Sequence, residues 1–224
     1  TKIYEEFRVQ ISVKEVFENP ILLNLSDLIA SKNMVTKEIK IEKAEKAEYY
    51  PTTFAQRRMY YATKKITGHN AVYNLTGGIF VKKLLNTKKI EQVLQDIIAT
   101  HQSLRTQFEL VGVELMQKVM ETVPFSIAVE YVKNADKQAL IDKFQTPFDL
   151  EKAPLFRAKV YVINNEETLI LLDTHHIIMD GASLNLFIEE FCKRYNDEEI
   201  TLPEKEYVDY AVWENQYIKD KEAL

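Results

Sequence analysis

The stretch of sequence that decides the fold is Leu169–Gly181, which reads LILLDTHHIIMDG. Its first four residues form a continuous apolar run, which is typical of a central β-strand buried on both faces. The run leads almost directly into two adjacent histidines, His175 and His176, and an Asp-Gly pair follows before a helical pattern begins. The stretch therefore predicts a buried strand that carries ionisable side chains to its end.

Three interpretations of these polar residues compete. Histidines at a strand end can be structural, yet buried imidazoles and carboxylates are costly to place without partners. A metal site would use His176 and Asp180, but neighbouring strand residues point to opposite faces, and the sequence shows no third ligand cluster. General acid–base chemistry needs only one imidazole, which titrates near neutral pH. In this third interpretation an ion pair with Arg105 fixes Asp180, and Gly181 allows close approach of substrate and offers an N–H to an oxyanion.

The sequence around this stretch predicts a mixture of strands and helices. Strands are predicted near residues 77–81, 105–111, 113–120, 127–132, 156–162 and 169–172. Helices are predicted near residues 53–60, 86–98, 135–145, 184–191 and 206–220. This order favours an α/β (α+β) fold built as a layered sandwich.

The chain is predicted to have three parts. Residues 1–32 contain two helical pieces, and the apolar face of the second is too small to be stable alone. Residues 33–48 are rich in lysine and glutamate and predict a solvated linker. Residues 49–224 form the larger unit. Because the chain begins at Thr1 and not at methionine, we expect it to be a piece of a longer protein.

Composition excludes several classes of function. The chain has 224 residues, 46% hydrophobic and 28% charged, which is a normal globular balance. A net charge of −5 argues against a nucleic-acid surface. No apolar run approaches the ~20 residues that span a bilayer, so no membrane partner and a cytoplasmic location are expected. The single cysteine, Cys192, cannot form a disulfide within the chain, and its apolar neighbours predict that it is buried.

The His-His-x-x-x-Asp-Gly pattern at 175–181 resembles the active-site motif of condensation domains in nonribosomal peptide synthetases. Alone, it also fits the wider chloramphenicol-acetyltransferase-like superfamily. Three further segments resemble the condensation family in its order and spacing: TFAQRRMY at 53–60, HQSLRTQF at 101–108 and YVDYAVW at 207–213. The segment at 7–20, FRVQISVKEVFENP, resembles the closing part of a peptidyl-carrier domain.

The resemblance implies the N-terminal lobe of a condensation domain, preceded by the C-terminal end of a carrier domain. It implies amide-bond formation between a donor acyl thioester and an acceptor aminoacyl thioester, both tethered to carriers. His176 would accept a proton or position the amine, and His175 would support the loop by hydrogen bonds. Asp180 would pair with Arg105, and Gly181 would keep space for substrate.

The resemblance also implies partners and no metal. No cofactor is expected to be attached to this chain, since the carrier segment lacks the Gly-Gly-x-Ser sequence that takes phosphopantetheine. Phosphopantetheine arms of the donor and acceptor carrier domains would deliver the substrates. The adjoining partners would be an adenylation domain and the second condensation lobe, which is missing from this sequence, so the isolated chain is expected to be inactive.

Two alternatives and several departures accompany this interpretation. An epimerisation domain shares the histidine motif, although the opening at 53–60 favours condensation, and a non-catalytic carrier-docking fragment is the other alternative. Thr100 and Gln102 replace the usual arginine and glutamate beside His101, which predicts only a local change in surface or packing. Scaffold roles are expected for a further set of motif residues: Gln56, Arg58, Tyr207, Asp209 and Trp213.

Overall fold

The computed structural model describes residues 2–7, 9–32, 40–66, 71–133 and 136–222. The chain divides into two compact units, Thr1–Ile41 and Glu42–Leu224. The three-part division at residues 32 and 48 stays a prediction, and residues 33–39 of its linker lie outside the described residues. Within the described ranges, no helix is long and apolar enough to cross a membrane.

The first unit contains three short helices: α1 (Lys2–Phe7), α2 (Val13–Glu18) and α3 (Leu22–Ser31). A capping box starts α2, because the Ser12 hydroxyl accepts from the Glu15 N–H at 3.2 Å while the Glu15 carboxylate accepts from the Ser12 N–H at 2.8 Å. The two predicted helical pieces correspond to α2 and α3. The sequence reasoning missed α1.

The second unit mixes strands and helices in nearly the predicted order. Its strands are β1 (Tyr50–Pro51), β2 (Asn74–Val81), β3 (Thr106–Val111), β4 (Glu114–Val119), β5 (Ala128–Val132), β6 (Phe156–Ile163) and β7 (Glu167–His175). Its helices are α4 (Phe54–Lys65), α5 (Thr87–Thr100), α6 (Lys137–Phe144), α7 (Gly181–Tyr195) and α8 (Tyr207–Glu222). A single 3₁₀ turn, Gln102–Arg105, joins α5 to β3.

A four-stranded sheet, in the order β2-β7-β6-β5, forms the centre of this unit. Strands β5 and β6 are parallel, and the other two pairs are antiparallel. One face packs on α5 and α7, where Ile170 of β7 meets Leu94 and Phe187 in a single apolar cluster. The opposite face carries Leu171 of β7 and packs on α6. Helices on both faces of the sheet confirm the predicted layered sandwich.

The strand β7 is buried along almost its whole length, as its apolar run predicts. Its partner β2 begins at Asn74, three residues before the predicted start at Gly77, because pairing of Asn74 with His175 extends the ladder to the end of β7. The smaller sheet, β1-β4-β3, lies in the same unit. Antiparallel pairing thus holds the last residue of β7 in a fixed register.

One expectation about an individual residue is wrong. Cys192 is exposed, because the core-facing positions of α7 are Phe187 and Phe191, four residues apart, and the next residue turns away from them. The solvated linker stays a prediction; its residues 42–48 are mostly exposed, and contacts join them to the rest of the second unit. The Ala44 N–H donates to Asp209 Oδ1 at 2.8 Å, and Glu48 pairs with Lys118 at 2.7 Å.

Candidate active site

The two histidines are positioned by the end of β7 and the turn that follows it. The His175 N–H donates to the carbonyl of Leu155 at 3.1 Å, and the His176 N–H donates to the carbonyl of Tyr73 at 2.8 Å. The turn closes when the Ile178 N–H donates to the His175 carbonyl at 3.1 Å. Neighbouring segments on both sides therefore fix the backbone of both histidines.

The His175 side chain is buried and uncharged. Its exposed fraction is 2%, and burial lowers its pKa to about 4. Its Nδ1 accepts a hydrogen bond from the Ile177 N–H at 3.1 Å, so the ring proton sits on Nε2. Nε2 lies 3.2 Å from Thr63 Oγ1, whose own proton is donated to the Met59 carbonyl at 2.9 Å. His175 therefore donates to Thr63 and ties the turn to α4.

The His176 side chain, in the turn directly after β7, faces an open cavity. It is exposed, and it lines a cavity of about 310 Å³ together with residues from α4, the 3₁₀ turn, α7 and the start of α8. The imidazole is therefore accessible and is not enclosed in packed hydrocarbon. This is the arrangement that acid–base or positioning chemistry requires.

Asp180 forms the N-cap of α7 and does not pair with Arg105. Its Oδ1 accepts from the Ser183 N–H at 2.8 Å, and this hydrogen bond is the main reason that its pKa is lowered. Arg105 instead donates to three backbone carbonyls, those of Ile98, Met120 and Glu121. The predicted ion pair between Asp180 and Arg105 is therefore wrong, because each side chain forms hydrogen bonds with backbone groups instead.

The buried ion pair near the motif is formed by Asp173 and Arg157. Asp173 is fully buried, and Arg157 Nε donates to its Oδ2 at 2.9 Å across the β6–β7 ladder. Asn74 and Thr76 of β2 also donate to this carboxylate, at 2.9 and 2.7 Å. Burial raises the pKa of Asp173 and lowers that of Arg157. The pair joins three adjacent strands two residues before His175.

The sequence reasoning missed this pair, although a signal for it was present. Asp173 is a charged residue directly after an apolar run, inside a strand buried on both faces, and such a residue needs a partner. Arg157 lies in the strand predicted from the alternation of Phe156 and Ala158, two residues with apolar side chains. The ion pair predicted from the sequence instead joined Asp180 to Arg105.

Six polar residues without a charge contribute to the lining of the cavity. Its members are Gln56, Gln102, Ser103, Thr106, Gln117 and Tyr207. Gln56 Nε2 donates to Gln117 Oε1 at 3.2 Å, and Gln117 Nε2 donates to the Pro51 carbonyl at 2.8 Å, so these two amides also brace the scaffold. Gln102 contributes to the lining of the cavity, and the expectation that its departure from the usual glutamate changes only local surface or packing stays a prediction.

The remaining motif residues divide between scaffold and cavity. Asp209 accepts from the N–H groups of Ala44 and Glu206, both at 2.8 Å, and Trp213 packs between two tyrosines of α8. Gly181 is the first residue of α7, and a methyl group added there would meet nothing within 4 Å.

Across the described ranges, no group of three or more histidine, cysteine, aspartate or glutamate residues could hold a metal ion.

The sequence model of the family described as Condensation domain matches residues 46–224. This chain belongs to the condensation domain family. The match covers the cavity, both histidines and the whole four-stranded sheet. It favours condensation over the epimerisation alternative.

Curated relatives of this condensation domain are much longer proteins. Tyrocidine synthase 3 of Brevibacillus parabrevis is 34% identical over 220 residues, and bacitracin synthase 3 of Bacillus licheniformis is 35% identical over 222 residues. These alignments cover 98% and 99% of this chain but only 3% of each relative. The alignments include the first unit as well as the second.

Solved structures show the same fold at low sequence identity. The X-domain in its complex with OxyB from teicoplanin biosynthesis has a TM-score of 0.75 at 20% identity and covers 84% of this chain. The starter condensation domain of rhizomide synthetase RzmA has a TM-score of 0.67 at 21% identity and covers 77%. This chain covers 42% and 44% of those structures, respectively. They support the predicted chloramphenicol-acetyltransferase-like lobe.

Proposed function

We propose that this chain supplies the histidine-bearing half of a site that forms an amide bond between two carrier-tethered substrates. The observation that carries the proposal is the accessible His176 ring, which a fixed backbone holds at the mouth of the cavity. The donor is an acyl thioester, and the acceptor is an aminoacyl thioester with a free amine.

In the proposed reaction the acceptor nitrogen attacks the donor carbonyl, a C–N bond forms and the C–S bond breaks. The nitrogen loses a proton, and the departing sulfur leaves as a thiol. His176 either removes the proton or holds the amine in line with the carbonyl, and the Gly181 N–H is available to the oxyanion of the intermediate. Confinement of both tethered substrates in one cavity supplies much of the rate, because it makes the encounter effectively intramolecular.

The proposal includes partners that lie outside this chain. Phosphopantetheine arms of donor and acceptor carrier domains bring the substrates, and a second condensation lobe closes the cavity. An adenylation domain supplies the activated amino acid, and the reaction takes place in the cytoplasm. Supporting this arrangement, the chain spans about 3% of the synthetases that it resembles.

The test is His176→Ala in the intact synthetase module that contains this chain, with both carriers loaded. We expect peptide formation to fall by about a hundredfold or more, because proton transfer or positioning is lost. Since His176 is exposed, the melting temperature should change little. Peptide formation is measured by mass spectrometry of the acceptor carrier.

Two results would contradict the proposal. Near-normal peptide formation by His176→Ala would remove the catalytic or positioning role. Binding of both carriers by the wild-type module without any peptide would instead favour the non-catalytic docking alternative. Thr63→Ala is a useful comparison, because it removes the partner of the buried histidine and leaves His176 intact.

A further inference from the structure

The His176 ring depends on its backbone for its direction. Among the described residues, neither nitrogen of this ring has a hydrogen-bond partner. A reactive side chain without such a partner keeps its aim only if the surrounding structure holds it. The N–H of His176 donates to the Tyr73 carbonyl, and the next residue, Ile177, is held by a side chain. That side chain is the His175 ring.

The His175 ring spans the residue that carries the reactive imidazole. Its Nδ1 accepts from the Ile177 N–H at 3.1 Å, so the direction of this ring influences the course of the backbone through His176. Two aromatic rings pack around it, with centroids 6.2 Å away for Tyr73 and 6.4 Å away for Phe148. Packing of this kind limits where the imidazole lies, but it does not decide which nitrogen carries the proton.

Thr63 of α4 is the polar partner that decides it. The row of hydrogen bonds runs from the Ile177 N–H to Nδ1, from Nε2–H to the Thr63 hydroxyl, and from that hydroxyl to the Met59 carbonyl. An N–H only donates and a carbonyl only accepts, so the two ends fix the direction of every proton between them. A threonine hydroxyl that donates to the carbonyl four residues earlier is a common local arrangement in helices.

We propose that Thr63 is a positioning residue, whose hydroxyl holds the His175 ring and, through it, the turn that aims His176 into the cavity. The inference rests on the proposed amide-forming function and adds a residue on which that function depends. Thr63 does not line the cavity, although both ends of the row, Met59 and Ile177, do. It therefore acts without touching substrate.

The test compares Thr63→Val, which keeps the shape and removes the hydroxyl, with Thr63→Ser, which keeps the hydroxyl. The intact module carries a loaded donor, and the loaded acceptor carrier is supplied at rising concentration. For Thr63→Val, the rate of peptide formation at saturation should fall by about tenfold or more, because a misaimed reactive group is costly. The half-saturating concentration should change by less than about twofold, and Thr63→Ser should stay within about threefold of the wild-type rate.

Nuclear magnetic resonance of the chain with ¹⁵N-labelled histidine gives a second readout. The sequence has four histidines, and the signal that disappears in His175→Gln identifies residue 175. In the wild type and in Thr63→Ser, this signal should show a slowly exchanging proton on Nε2. In Thr63→Val the slowly exchanging proton should be lost, because a buried N–H without an acceptor is unfavourable.

The matched control is Thr174→Val, the same substitution at a buried threonine beside the motif. The Thr174 hydroxyl donates to the Leu155 carbonyl at 3.1 Å and takes no part in the row that holds the His175 ring. This variant should lower the melting temperature about as much as Thr63→Val does, since each loses one hydroxyl hydrogen bond. Its rate of peptide formation and its His175 signal should match those of the wild type.

Three outcomes would overturn the inference. The first is wild-type turnover by Thr63→Val, which would leave the proposed function standing. The second is an equal fall in rate for Thr63→Val and Thr174→Val with an unchanged His175 signal, which would reveal a general loss of stability. The third is a wild type that forms no peptide, which would overturn the proposed function as well. If Thr63→Val does not fold, Thr63→Ala replaces it, because alanine favours a helix.

Discussion

Replacement of Arg157 by alanine tests how much the buried ion pair contributes to stability. The substitution removes the 2.9 Å contact with Asp173, whose side chain has an exposed fraction of 0%. It also removes the packing of the guanidinium over the Phe148 ring, 3.8 Å from its centroid. Breaking a buried pair by removing one partner costs about 3–5 kcal/mol, because the other charge stays buried. A loss of this size is a large part of the 5–15 kcal/mol that is typical of a folded domain.

The control is Lys159→Ala, on the same strand and the same face. Lys159 also forms an ion pair, with Glu130 at 2.7 Å, but the Glu130 side chain is 44% exposed. A pair of this kind contributes about 0–1 kcal/mol. Both variants are compared with the wild-type chain by urea unfolding at pH 7, and the difference between them isolates the effect of burial.

Two further results decide the argument. Adding Asp173→Asn to Arg157→Ala should restore part of the stability, because a neutral amide can be buried without a cation. The loss caused by Arg157→Ala should also shrink as the pH falls, since the pKa of Asp173 is already raised and protonation removes the unpaired charge. If Arg157→Ala and Lys159→Ala lost equal stability at every pH, the reasoning from burial would be wrong.

Three other single variants, and one double variant, test the environment of the motif. His175 has a pKa of about 4 in the fold against 6.5 for a free imidazole, so the unfolded chain binds its proton first as the pH falls. The free energy of unfolding should therefore fall between about pH 6.5 and pH 4, and this group should account for roughly 3 kcal/mol of the loss. Urea unfolding at a series of pH values should show a smaller loss for His175→Gln than for the wild type. For Arg105 and Asp180, which do not touch, the effects of Arg105→Ala and Asp180→Asn on the free energy of unfolding should add within about 0.5 kcal/mol. A larger coupling energy in the double variant would show that the two side chains interact, as the sequence predicted, and would contradict the structure.

Most of the second unit could be predicted from its sequence, because the pattern of apolar residues there is strong. The helices predicted near residues 53–60 and 86–98 are both present, with Thr53 and Asn86 as their N-caps, and Thr53 forms a capping box with Gln56. The alternation in β6 and the apolar run in β7 identified both central strands. Local patterns of this kind are determined by neighbours in the chain, so the sequence displays them directly.

The side-chain partnerships could not be predicted in the same way. The match between Asp173 and Arg157 depends on which strands are adjacent and in which register, and neither is visible in a single sequence. The choice of Arg105 as the partner of Asp180 failed because both groups found backbone partners closer in the chain. The position of Gln102 in the lining of the cavity was not predicted, since nothing in the sequence shows that the 3₁₀ turn borders the cavity.

The alternation of side chains along β7 has a consequence for how this chain can change over evolutionary time. Insertion or deletion of a single residue between Leu169 and Asp173 would exchange the two imidazoles, placing residue 175 in water and residue 176 in the dry interior. The same event would turn the buried carboxylate of Asp173 away from its guanidinium. A change of two residues would keep the alternation of side chains, whereas a change of one would disturb the buried ion pair and the positions of both imidazoles at once.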